Sequence, residues 1–130
     1  MTPATYCDEG NHMDAHDETT TTSLHELGEE LLAKARTANS GRAATTVHGG
    51  QARDLRQTVI ALLQGHALGE HESPGEATLQ VLVGRVRLTA DHGAGSWECS
   101  AGDLLVIPPV RHDLAALSDA VVLLTVATRA

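Results

Sequence analysis

The sequence predicts an all-β domain, an antiparallel sandwich or barrel, carrying one amphipathic helix ahead of it. Three observations lead there. Eight short runs rich in Val, Leu, Ile or Thr follow one another from residue 44 to residue 127, and glycine-, proline- or asparagine-type turn residues separate them. No gap between them is long enough for a crossover helix, which disfavours a parallel sheet. The chain of 130 residues supports a single domain with one core.

Taken in order, residues Met1 to Thr22 are mostly polar or acidic and end in the run Thr19 to Thr22. They bring too little apolar surface to offset the entropy of ordering, so a disordered acidic tail is expected over 1–22. Cys7, His12 and His16 lie within it at metal-like spacing, but the polar surroundings favour a tail over a site. Ser23-Leu24-His25-Glu26 then has the spacing of a capping box, and Leu24, Leu27, Leu31, Leu32 and Ala35 share one helical face. A helix over Ser23 to Arg36 follows, stopped by Asn39-Ser40-Gly41, so 23–41 forms a helical extension and loop.

The predicted strands are Ala44–Val47, Leu55–Leu63, Thr78–Val83, Val86–Ala90, Trp97–Cys99, Leu104–Ile107, His112–Ala116 and Ala120–Ala127, within a barrel region spanning 42–130. Turn signals between them include Gly49-Gly50, Pro74-Gly75, His92-Gly93, Pro108-Pro109 and Ser118-Asp119. There is no internal repeat. The chain has no Phe, one Tyr and one Trp, so its interior must be aliphatic.

Nine Lys and Arg against seventeen Asp and Glu give a net charge of −8, which repels phosphate backbones and anionic lipid surfaces. Neither nucleic acid nor membrane is expected as a partner. No apolar run approaches a membrane span and the N-terminus has no basic-then-apolar leader, so the expected location is cytoplasmic. Cys7 and Cys99 define no disulfide framework and are expected as free thiols. No Gly-x-Ser-x-Gly elbow, phosphate-binding loop or cysteine with a base partner is present, so nucleophilic catalysis has no positive support.

Gly65, five residues, His71-x-Ser73, three residues, Ala77, six residues and Gly84 form one spaced frame. Gly102, five residues, Pro108 and then His112 form a second. Together they resemble the two motifs of the cupin superfamily, over Leu55 to Ala127. The resemblance implies a double-stranded β-helix, the cupin jelly-roll barrel of RmlC-like proteins, and sheet-to-sheet homodimers. It also implies a metal held by three imidazoles and a carboxylate, a set that suits Fe, Mn, Ni, Cu or Zn. This sequence departs from that set. His71 matches the first ligand and His112 the last, but Ser73 replaces the second His and Ala77 the Glu. Val110 stands where Gly is usual and Ala116 where Asn is usual, and the Pro108 to His112 stretch is one residue short.

Glu76, beside the vacated carboxylate position, would restore a two-His-one-carboxylate set if a bulge after Pro74-Gly75 turned it inward. Strand alternation places Ala77 inward instead. His66 is a further potential ligand whose register crosses a glycine-containing loop. The opposed reading makes His71 and His112 hydrogen-bonded, partly buried histidines in an apolar barrel mouth. Gln57 and Gln80 are candidates for a pocket wall or for cross-strand pairs. Arg85 and Arg87 share a strand face, as an anion site or simply as its solvated side.

The expected function is binding or sensing of a small molecule in an aliphatic barrel cavity, with His71, His112, Glu76 and Gln57 as polar contacts. The first alternative is a metal-dependent cupin enzyme of dioxygenase or isomerase type using His71, His112 and Glu76. The second is a dimerisation or interaction module. A sugar epimerase is disfavoured because the near absence of aromatic residues leaves a sugar nothing to stack on.

Overall fold

Ser23 opens the helix as the capping signal requires: its Oγ accepts the Glu26 N–H at 3.1 Å. The computed structural model describes residues 19–73 and 75–127. Expectations placed on residues 1–18, including disorder and the roles of Cys7, His12 and His16, lie outside the described residues. Helix α1 runs Leu24–Thr37, with Glu26 in its first turn and Lys34 and Arg36 in its last, each sign matched to the helix dipole. It buries Gly28, Leu31, Leu32 and Ala35.

Eight strands follow: β1 Arg42–His48, β2 Leu55–Leu62, β3 Glu76–Val83, β4 Arg85–Ala90, β5 Gly95–Ser100, β6 Leu104–Val106, β7 His112–Ala116 and β8 Ala120–Ala127. Every one of the eight predicted runs forms a strand. β1, β3 and β5 extend past the predicted ends, because ladder bonds to β2, β8 and β4 recruit polar flanking residues that propensity alone does not.

The strands make two antiparallel sheets, β1-β2-β8-β3-β6 and β5-β4-β7. Alternation along β2 shows how they are layered. Ile60 and Leu62 join a core with Leu79, Val81, Leu88, Leu114 and Val122, residues drawn from both sheets. Val59 and Ala61, on the other face, pack with Leu31, Leu32, Ala35 and Val121. The helix therefore covers the back of the larger sheet, and the smaller sheet covers its front. Gly28 permits that close helix approach, since a methyl group there would lie 3.2 Å from Val121 Cγ1. Gly84, at φ +80°, makes the β3–β4 turn against the Asp119 carbonyl, where no side chain fits.

At the edge of the smaller sheet, the sole tryptophan, Trp97, lies on β5 with 42% of its surface exposed and its ring over Gly95. Among the described residues no helix is long and apolar enough to cross a membrane.

Candidate ligand site at the barrel mouth

β7 presents His112, Leu114 and Ala116 to the barrel interior and Asp113 and Ala115 to the other side, a strict two-residue alternation. A strap, residues 65–72, runs antiparallel beside it. Gly65 N–H donates to Ala116 O, Leu68 N–H to Leu114 O, and His71 and His112 exchange both backbone bonds at 2.9 and 3.0 Å. The bridges Ala67↔Ala115 and His71↔His112 enclose four steps along the strap but three along β7. Gly69, at φ +98°, absorbs the extra residue, and its N–H is taken by Asp113 Oδ1 at 2.8 Å. This bulge sets His71 opposite His112.

The two imidazoles meet edge to face, with ring centroids 4.4 Å apart and planes at 69°. His71 Nδ1 donates to Gly69 O at 2.8 Å, and His112 Nδ1 donates to Val110 O at 2.9 Å. A carbonyl oxygen only accepts, so in each neutral ring the proton sits on Nδ1 and Nε2 is left as the acceptor. His112 is 3% exposed, whereas His71 is open to solvent. Both rings line a cavity of about 30 Å³ whose other walls are aliphatic, among them Ile60, Leu68, Leu79 and Leu124. A water needs roughly 10–15 Å³ by this measure, so the cavity holds water-sized groups.

Two of the four site residues expected from sequence come together here and two do not. Glu76 is exposed, while Ala77 beside it is buried at 3%. The β3–β8 register is unbroken from Glu76↔Ala127 through Thr78↔Thr125, and its only shift lies at Val81/Val83, so no bulge turns Glu76 inward. Gln57 lies on the back of the larger sheet, on the same side as Val59 and Ala61. Its Nε2 donates to Thr125 Oγ1 at 3.2 Å, the cross-strand pair that the Gln57↔Thr125 register dictates. His66 is also outside the cavity lining, its ring lying close against Gly41. Ser73 donates to Gly75 O at 3.0 Å, and Ala116 is buried at the position where the cupin pattern has Asn.

The donor set therefore does not fit a resident cupin metal: two imidazoles are present, and Ser73 and Ala77 occupy the remaining ligand positions. Among the described residues no group of three or more His, Cys, Asp or Glu is arranged to hold an ion.

Charges ring the mouth instead. Arg111 binds Glu70 through Nε at 3.0 Å and Glu72 through Nη1 at 2.7 Å, one carboxylate on each side of His71. The bonds to Glu70 and then Glu72 raise the Arg111 pKa further. His92, from the β4–β5 turn, lies 3.3 Å from the second oxygen of Glu70. Sequence reasoning passes over these residues, although Glu70-His71-Glu72 and Arg111-His112 display opposite charges once the strap sets the two histidines opposite each other. On the smaller sheet's outer surface, Arg85 and Arg87 both bind Glu98, at 2.9 and 2.7 Å, which gives them a carboxylate partner within the fold.

No protein-family model matches this sequence, and no curated protein matches it. Solved structures do. A conserved protein of unknown function from Streptococcus pyogenes superposes with a TM-score of 0.67 at 23% identity, covering 95% of this chain and 99% of that one. An RmlC-like cupin protein from Desulfovibrio desulfuricans gives 0.59 at 21% identity, with 90% and 98% coverage. A salicylate 1,2-dioxygenase from Pseudaminobacter salicylatoxidans gives 0.64 at 19% identity over 78% of this chain, which spans only 33% of the dioxygenase. At such identities these neighbours show the fold: the two antiparallel sheets of this chain form a jelly roll like that of the RmlC-like cupin protein.

Proposed function

We propose that this protein binds a small polar ligand at the barrel mouth through Nε2 of His71 and Nε2 of His112. One observation carries the reading: each ring is fixed by its Nδ1 on a backbone carbonyl. Two acceptor nitrogens thus stand at the edge of an apolar cavity, and no hydrogen bond from another described residue reaches them. A buried acceptor left unpaired costs about 1–3 kcal/mol, which a ligand's donor group recovers. The cavity admits a hydroxyl, an amine or a water, so the ligand's bulk stays outside the barrel. Nuclear magnetic resonance of ¹⁵N-histidine protein tests this with a panel of hydroxyl- and amine-bearing fragments. Binding fragments are expected to move both Nε2 signals, and His71→Ala is expected to weaken them at least tenfold. A panel in which no fragment moves either Nε2 signal would sink the reading.

A second reading, a homodimer formed through sheet faces, is favoured by β6. Leu104 and Val106 are 65% and 70% exposed on the same side of that edge strand. Their register neighbours are Gln80 and Thr78, so the face carries no charge there.

A further inference from the structure

We infer that the metabolite-sized site of this protein lies on the back of the larger sheet, outside the barrel, and that it takes an uncharged amphiphile with an amide or hydroxyl head. The barrel cavity measures about 30 Å³, whereas the groove between the start of α1, the end of β1 and the start of β2 measures about 460 Å³. Small-molecule pockets run from roughly 300 to 1,000 Å³. Of the two, the groove is in that range.

A break in the β1–β2 ladder builds its wall. Thr46 pairs with Thr58 but His48 pairs with Gln57, so β1 carries one residue more than its partner at that point. Such a bulge re-aims side chains: Val47 and His48 together answer Gln57, and all three line the groove. Leu24, Leu55 and Leu123 supply the rest of its apolar surface, and Leu55 is 43% exposed, an apolar side chain still facing solvent.

The head group is set by Gln57. With Nε2 donating to Thr125, its carboxamide keeps Oε1 as an acceptor and a second amide hydrogen as a donor. A ligand amide or hydroxyl matches that pair. Among the described residues no Asp, Glu, Lys or Arg lines the groove and His48 is the one titratable side chain there, so an ionised head finds no permanent counter-charge, and the chain's net charge of −8 opposes anions further.

The test titrates the full-length, ¹⁵N-labelled protein with octanamide and, separately, octanoate. Octanamide is expected to shift the backbone signals of Val47, His48 and Leu55 and the side-chain amide of Gln57, leaving His71 and His112 unmoved. Leu55→Glu, at an exposed position, is expected to weaken binding at least tenfold, and octanoate to bind at least tenfold more weakly than octanamide. His71→Ala is expected to leave octanamide binding unchanged, which separates this site from the barrel mouth. Shifts confined to the barrel mouth, no saturable shift, or equal binding of octanoate would each overturn the inference.

Discussion

Glu98 stands between Arg85 and Arg87 on the outer face of the smaller sheet, and its hydrogen bond to Arg87, then the charge of Arg87, hold its carboxyl below the usual carboxylate range. A lowered folded-state pKa means that the unfolded chain takes up the proton first as pH falls. The stabilisation is therefore complete above the ordinary carboxylate value and disappears as pH drops through the lower, folded one. Glu98→Gln is expected to lower the melting temperature at neutral pH, with the difference from wild type closing under acid conditions. A difference that widened toward low pH would contradict the pairing. Cys99 shows the opposite influence: burial, then the nearby Asp103 charge, pushes its thiol pKa up, which keeps it protonated and unreactive at neutral pH. At this scale the sequence is informative where period-two alternation decides a face, as at Ala77 and Glu76. It is silent where the face depends on which layer lies behind the strand. Gln57 is the example, because nothing in LRQTVIAL says that the odd positions meet a helix and the even ones a barrel.

The strap is held to β7 by spaced backbone bonds and by Arg111 reaching Glu70 and Glu72. Exposed ion pairs add little to global stability, but they set how often a segment with few ladder bonds lifts away. Arg111→Gln is expected to speed hydrogen exchange of the Leu68 and His71 amides several-fold while β2 and β8 amides exchange at their wild-type rates. Unchanged exchange in the strap would remove the ion pairs as its fastening. Elements were the most legible level of this sequence: a capping serine, glycines at the turns and eight short, mostly apolar runs each carry a local physical signal. The strap was the exception. Its pairing is interrupted at Gly69 and carried by two bridges, too little for a periodic pattern to form. The Val47–His48 bulge was equally hidden, because neither Gly nor Pro marks it.

For the molecule as a whole, three layers share one sheet: α1 behind it, the smaller sheet in front. The helix reaches β1, β2 and part of β8, which leaves the outer face of β3 and β6 uncovered at Leu104 and Val106. If a second copy covers that face, Leu104→Glu is expected to halve the mass seen by light scattering while the circular dichroism spectrum is preserved. A wild-type protein that scatters as a monomer at all concentrations would remove the dimer. The resemblance pointed to the right barrel because glycine spacing records turns. It was less informative about the site, since ligand positions depend on side chains that the chain has replaced.

The aliphatic interior also determines what light can report about this protein. Trp97 is the single indole, and it sits half-exposed on the edge strand of the smaller sheet, paired in register with the core residue Leu88. Its emission is expected to register the parting of the edge strand β5 from β4, so a tryptophan-monitored melt should run earlier and broader than one followed by amide absorption.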